Sequence, residues 1–347
     1  MRKKKGNNWP LRLLGGLLAA VMVVGGGKVW FWLSDNKLPN ISQGRDLYVY
    51  PDTTPKDVLA ALDSCVRRPG SMKRAFREHQ VAGYIKPGHY TVEAGQTSAY
   101  IARMLNNGWQ TPVQLVIPGA RLKGRLASRI SSQMMIDSAT VADALCNDEL
   151  LGRYGFDSKG AFALFIPDTY EIYWTATADE ILSRMKKAYD AFWTEENKSK
   201  ASRLGLSRMD VSILASIVKG ESNKPQDFAK LAGVYINRLR KGMKLQSCPT
   251  VAFLFDYTKT RILNADLRTE SPYNTYLHAG LPPGPISVPE KSYLNAVLNP
   301  DTSEGYLFFC ADPSFNGLHR FARTYAEHSR NARDYQKAFE ARAKKSK

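Results

Sequence analysis

Residues 13–27, "LLGGLLAAVMVVGGG", carry no charged side chain, and this run limits the chain more than any other stretch. Arg2, Lys3, Lys4, Lys5 and Arg12 precede it; Lys28 and the aromatic cluster "VWFWL" at Val29–Leu33 follow. Taken from Leu11 to Leu33, the segment reaches the ~20 residues that a helix needs to cross a bilayer core. Lys28 at its far end can snorkel toward the interface, where Trp30 and Trp32 also belong. A cleavable signal peptide shares the charged start and apolar run, but no Ala-x-Ala type site follows Val24 before the bulky aromatics. The expectation is an uncleaved, single-pass anchor over 11–33 in the cytoplasmic (inner) membrane. Residues 1–10 then form a basic cytoplasmic tail, because the positive flank stays inside, and the rest is periplasmic or otherwise extracytoplasmic.

That placement gives the charge balance a direction. Forty-nine basic against 32 acidic residues, a formal net charge of +17, call for anionic partners. Outside the cytoplasm these are a lipid surface or an acidic polymer, not nucleic acid. The four cysteines, Cys65, Cys146, Cys248 and Cys310, lie where oxidation is permitted. None has CxxC spacing. Cys248 with Cys310 is attractive as a pair because both fall in the C-terminal half, and free thiols are equally compatible.

Beyond the anchor, residues 34–45 are polar and turn-rich and read as a linker. A βααβ-like pattern follows: strand "DLYVYP", helix "TPKDVLAALDSCV" with Thr54 as N-cap, helix "SMKRAFREHQV" and strand "YIKPGHYTV". A weaker second round runs through "TSAYIARMLNNG", stopped by Gly108, then "TPVQLVIPG" and "RLKGRLASRISSQM". Ala178–Phe192 places Ile181, Leu182, Met185, Ala188 and Tyr189 on one helical face, the mark of core packing. Pro167-Asp168 reads as a turn entering a strand. The fold class is α+β.

"MDVSILASIVKG", Met209–Gly220, reads as a helix with Ser207 and Asp210 as its capping pair and Val211, Leu214, Ala215 and Val218 buried. Gly220 reads as its stop. Glu221 then lies at the negative end of the helix dipole beside an apolar face, and both surroundings push its pKa up unless Lys219 or Lys224 turns toward it. An acid held protonated near neutral pH can donate a proton.

Several long motifs then occur in order: "PDTY" at 167–170, "ASIV" before Glu221, "INRL" at 236–239, "LQSCPTV" at 245–251 and "YNTY" with "GLPPGPI" at 273–286. With them the chain, from the anchor to about Tyr335, resembles the YceG-like endolytic murein transglycosylases, membrane-anchored enzymes that cut the glycan strands of peptidoglycan. It departs from the family pattern at Lys219-Gly220, where a charged pair is common, at Cys248, where a polar or acidic residue is common, and at "FALFI" before "PDTY".

The resemblance implies a small LysM-like α/β module over 46–118 and a YceG-like catalytic domain over 119–340, with a helical connecting region at 119–205 and a core at 206–340. It implies Glu221 as catalytic acid, acting without metal or cofactor. A lytic transglycosylase works with one carboxylate, because the C6 hydroxyl of the N-acetylmuramic acid attacks the anomeric carbon and leaves a 1,6-anhydro end. A glycosidase usually uses two. Asp227 is the nearest second acid, and N-cap of the next helix, with Phe228, Leu231, Ala232 and Tyr235 buried, is the role its position favours. Tyr273, Asn274, Thr275 and Tyr276 combine flat rings with amide and hydroxyl groups suited to sugars. With Gln246 and Thr250 they are the expected substrate-binding residues.

Asn237 fits a buried hydrogen bond as well as a contact. The five histidines show no HExxH pattern. His319 suits packing or hydrogen bonding, and the basic stretches 238–244 and 320–333 read as solvated faces that can attract stem-peptide carboxylates or anionic lipid. The expected partners are peptidoglycan strands and cell-wall synthases. A glycan-binding protein without catalysis and a hydrolytic muramidase are the alternatives.

Overall fold

In the computed structural model, which describes residues 9–345, the apolar run is one helix, α1, Trp9–Asn36. Most of the basic tail expected over 1–10 lies outside the described residues. Arg12–Asn36, 25 residues long, is the stretch apolar enough to cross a membrane; at ~1.5 Å per residue it measures roughly 37 Å, enough for a ~30 Å hydrocarbon core. Leu17, Met22 and Val23 are 67%, 69% and 75% exposed, as side chains awaiting lipid would be.

The chain forms two compact units, one reaching Val113 and including Tyr173–Thr175, the other holding Gln114–Ile172 and Ala176 onward. In the first, α1 is followed by β1 (Arg45–Val49), α2 (Pro55–Leu62), α3 (Pro69–Glu78), α4 (Val81–Tyr84), β2 (Gly88–Val92) and α5 (Ser98–Asn107). β1 and β2 pair antiparallel, Arg45 opposite Val92 and Val49 opposite Gly88. Thr54 and Asp57 form a capping box on α2, and Gly108 closes α5 in the left-handed region at φ 67°. Leu47, Val49, Tyr90, Met72 and Ile101 meet in the core.

The linker expected over 34–45 is instead part of this unit. α1 continues to Asn36; Asp35 is buried and takes both Arg74 Nε (2.9 Å) and Nη2 (2.7 Å). Ile41 is in the core, and buried Asn40 donates to Ser98 Oγ (2.8 Å) and Arg68 O (3.1 Å) and accepts from the Arg68 N–H (2.7 Å). Polar composition signals a loop only when the polar groups lack internal partners, and here Asp35, Asn40 and Ser42 have them. Asn40→Ala, which leaves the Arg68 N–H without its acceptor while Arg68 O and Ser98 Oγ keep their bonds to Ser71, is expected to lower the unfolding free energy of the full chain by about 1–3 kcal/mol. A denaturant titration that leaves the midpoint unmoved would restore the linker.

The second unit opens with a similar order, with four helices rather than three between its strands: β3 (Val113–Ile117), α6 (Lys123–Ser131), α7 (Ser138–Ala144), α8 (Asp148–Gly152), α9 (Ala161–Leu164), β4 (Asp168–Ile172) and α10 (Ala178–Phe192). β3 pairs with β4. The two rounds share details, since Tyr90 donates to Lys86 O and Tyr170 to Ile166 O, and Thr97 and Thr177 each N-cap the helix that follows. The rest of the unit is α11 (Glu195–Arg203), α12 (Arg208–Glu221), α13 (Pro225–Arg240), α14 (Cys248–Leu254), α15 (Lys291–Leu298), β5 (Phe308–Ala311), β6 (His319–Ala322) and α16 (Tyr325–Lys345). β5 and β6 form an antiparallel hairpin. α12, α13 and α15 supply the core that carries the site, with Val211, Leu214, Leu231, Val234 and Val297 fully buried. All four cysteines are free thiols, so Cys248 and Cys310 do not pair.

Candidate active site

The Ser207–Asp210 capping box starts α12, with the Asp210 N–H donating to Ser207 Oγ (3.1 Å) and the Ser207 N–H to Asp210 Oδ2 (2.9 Å). The helix does not stop at Gly220, as the sequence suggested, but runs through Glu221. Gly220 is a contact residue: a Cβ there would lie 2.5 Å from Pro249 Cβ, so its bare backbone lets α14 pack against α12. This approach brings the segment before α14 up to Glu221.

Glu221 is partly buried, and Oε1 accepts two hydrogen bonds, from Tyr235 OH and Ser247 Oγ, each 2.6 Å. Oε2 accepts none among the described residues. Removal from water pushes the carboxyl above its ordinary value, while Ser247, Tyr235, His319 and Arg238 pull it back down. Burial therefore dominates in raising the acid, where helix-end position was expected to share the effect. Lys219 does not oppose it, since its Nζ is turned to Val288 O and Glu290 Oε1, both at 2.8 Å. Among the described residues, no second carboxylate acts on Glu221.

Tyr235 was expected only as a core residue of α13. It is fully buried, and burial, then Glu221, holds its phenol well above the usual range, so it remains a donor. A tyrosine on an apolar stripe needs a partner for its hydroxyl, which is the signal that could have singled it out. Ser247 lies inside the "LQSCPTV" motif, between the expected contacts Gln246 and Thr250, and nothing local distinguishes it.

The expected binding residues separate into two groups. Thr250, Asn274 and Thr275 are 0%, 0% and 2% exposed and are hydrogen-bonded within the protein. Thr250 Oγ1 donates to Ser247 O (2.7 Å) and is 2.9 Å from Thr275 Oγ1, which in turn accepts the Ser247 N–H (3.0 Å). Asn274 Nδ2 donates to Leu267 O (3.0 Å) and Thr269 O (2.8 Å), and its Oδ1 takes the Tyr276 N–H (3.0 Å). Short polar side chains thus satisfy an irregular backbone, and they hold the Ser247 hydroxyl in place.

Gln246, Tyr273 and Tyr276 remain at least partly exposed. Gln246 has a left-handed backbone, φ 51°, fixed by its N–H on Thr275 O (3.1 Å), and its side chain is free among the described residues. A non-glycine residue in that region costs roughly 1–2 kcal/mol, which the surrounding bonds offset. Tyr276 OH is 3.1 Å from Cys248 Sγ, and the phenol is raised by burial first and by Cys248 and Glu221 next, so it shares Glu221's surroundings. Tyr273 packs its ring on Phe253 at 4.8 Å.

Two other expectations change. Asp227 is not an N-cap: Pro225 opens α13, Lys224 occupies the cap position without a side-chain bond, and Asp227 falls in the first turn. There, buried, its Oδ2 accepts both His319 Nδ1 (2.9 Å) and the His319 N–H (3.0 Å), so His319 has the hydrogen-bonding role expected of it. Arg238, counted with the solvated basic residues, is 7% exposed and donates to Leu307 O and Leu245 O, both 2.7 Å. Guanidinium geometry suits two carbonyls at once, and the remaining cost of burial lowers its pKa. Asn237 donates to Tyr306 O at 3.1 Å.

An arrangement with one raised carboxyl, two hydroxyls on one oxygen and a free second oxygen can deliver a proton and take one back. Comparison with known proteins agrees with the motifs. The model of the YceG-like family matches residues 47–334. A protein of Bacillus subtilis strain 168 named endolytic murein transglycosylase is 36% identical over 45% of this chain and 42% of its own length. One of Streptococcus pneumoniae R6 with the same name is 25% identical over 91% of this chain and 63% of its own. The chain thus spans less than two thirds of the length of these relatives. The crystal structure of a yceG-like protein from Listeria monocytogenes superposes with a TM-score of 0.56 at 25% identity, covering 83% of this chain and 99% of that one.

Proposed function

The chain belongs to the YceG-like family, and on that premise we propose that it is an endolytic murein transglycosylase with Glu221 as its acid and base. The observation that carries the proposal is the lone carboxyl raised by burial, with both protein hydrogen bonds on Oε1. In the proposed reaction, protonated Oε2 gives its proton to the glycosidic oxygen between N-acetylmuramic acid and N-acetylglucosamine as the C1–O4 bond breaks. The C6 hydroxyl forms the C1–O6 bond and returns its proton to Glu221, leaving a 1,6-anhydro end and a free 4-hydroxyl. No second carboxylate is required.

Gln246, Tyr273 and Tyr276 are the proposed contacts to sugar, while Thr250, Asn274 and Thr275 support the loops that present them. α1 is the proposed anchor in the cytoplasmic membrane with both units outside the cytoplasm. Residues 46–118 are the proposed LysM-like glycan-orienting module, and 119–340 the proposed catalytic domain. Such an enzyme meets nascent strands near their synthases and ends their elongation.

Mass spectrometry of products from uncrosslinked strands tests the reaction. Anhydro ends are expected; reducing ends would identify a muramidase, and no cleavage a glycan-binding protein. The two hydroxyls give a further prediction. Both stabilise the ionised carboxyl, so Tyr235→Phe and Ser247→Ala raise the pKa of Glu221. The alkaline limb of the kcat/KM profile, where the acid loses its proton, is expected to move to higher pH in each variant. kcat at the wild-type optimum should fall roughly tenfold as orientation is lost. A limb that stays fixed or moves down would contradict the arrangement.

A further inference from the structure

The "PDTY" motif at 167–170 takes no part in holding Glu221. It walls a cleft of about 550 Å³ whose other sides come from α10, α11 and α15, a volume typical of small-ligand sites. Tyr170 lies in its wall with the Arg184 guanidinium 4.8 Å above the ring, and burial pushes its phenol up to about 12, so it stays neutral. Asp168 accepts from Lys291 Nζ at 2.5 Å and from the Thr169 N–H at 2.9 Å, joining β4 to the start of α15. Lys187, on the same face of α10 as Arg184, is exposed and has no partner among the described residues.

The cleft therefore holds three cations, Arg184, Lys187 and Lys291, against one carboxylate that is already paired. The other nearby acids are engaged elsewhere: Asp190 with Lys186 (2.6 Å), and Glu171 with Gln114 (3.2 Å). Amides complete the lining. Asn197 Nδ2 donates to Phe192 O (2.7 Å), which leaves its Oδ1 as an acceptor, and the exposed Asn295 amide is free among the described residues. A positive cleft with peptide-like donors and acceptors suits a short chain bearing carboxylates, and an uncharged sugar would leave its cations unmatched.

We propose that this cleft binds the stem peptides of the glycan strand through their carboxylates, so that the enzyme distinguishes peptide-bearing from bare strands. The inference rests on the proposed action on peptidoglycan. On a substituted strand the muramic carboxyl is tied up in its amide to the peptide, so the negative charge resides on the stem. α15 links the cleft to the catalytic helix, since Lys291 opens α15, Glu290 just before it holds Lys219, and Tyr293 OH donates to Ser222 O at 3.1 Å. The cleft and the turn that follows Glu221 thus share one supporting element, α15.

The test compares strands with intact stems and strands stripped by an amidase, for wild type, for Arg184→Gln/Lys187→Gln and for Lys187→Glu, all as full chains. Wild type is expected to show a KM about tenfold higher on stripped strands, and both variants that raised KM on either substrate. Wild type indifferent to stems, or variants that still discriminate as wild type does, would overturn the proposal. Because kinetics presuppose cleavage, the isolated stem peptide is also titrated by calorimetry. Binding that weakens about tenfold in both variants supports the cleft even if cleavage is absent. No binding to wild type, or equal binding to all three, overturns it without touching the assignment of Glu221.

Discussion

Glu221→Gln is expected to lower the rate of strand cleavage by about 100- to 10,000-fold, the usual contribution of a positioned general acid, and to leave the protein more stable than wild type at neutral pH. Glutamine keeps an oxygen for the Tyr235 and Ser247 hydroxyls, so the loops retain their anchor. The stability effect follows from linkage. The folded carboxyl titrates above its ordinary value of 4.5 because burial penalises the charge, whereas the unfolded one does not. Wild type therefore loses stability as pH rises from about 4.5 through the raised folded pKa, and the loss is complete above it. The variant has no group to ionise, so its advantage is absent at lower pH and grows across that window. Thermal melts at several pH values, beside product analysis, check both halves. A variant that cleaves normally removes Glu221 from the chemistry, and one uniformly less stable than wild type removes the buried charge as the cause.

Gly233→Ala should act through packing. A Cβ at that position in α13 would meet the backbone oxygen of Asp301 at 1.9 Å, a group that cannot rotate aside. The loop is already tied to the helix by the Asp301 N–H on Ala229 O at 2.9 Å. Helix and loop must separate, and the expected cost is near the top of the roughly 1–3 kcal/mol range for overpacking. Tyr235 follows Gly233 by two residues on α13, so kcat should fall as well, with the acid's hydroxyl partner displaced. Chemical denaturation and initial rates read the two effects, and unchanged values for both would mean that the approach is looser than the structure has it.

Much of this architecture was legible in local pattern. The apolar run, the Thr54–Asp57 and Ser207–Asp210 boxes and the bounds of α10 depend on residues three or four positions apart, which meet in any helix. The same logic failed wherever a residue's partner lies far along the chain. Glycine at 220 looks like a stop until Pro249 arrives beside it. Residues 34–45 look like a linker until Arg68, Arg74 and Ser98 engage Asp35 and Asn40. Arg238 looks solvated until two carbonyls from elsewhere take its donors.

The sequence by itself determined that a buried helix leads up to an acid in a chain that carries a membrane-length apolar segment, because helix period, capping and hydrophobic run length are local properties. Tertiary structure alone decided that Tyr235 and Ser247 converge on one oxygen of Glu221, that Asp227 belongs to His319, and that Thr250, Asn274 and Thr275 lie beneath the surface. A polar side chain takes whichever partner packing brings within about 3 Å, and that choice depends on segments the helix itself does not contain.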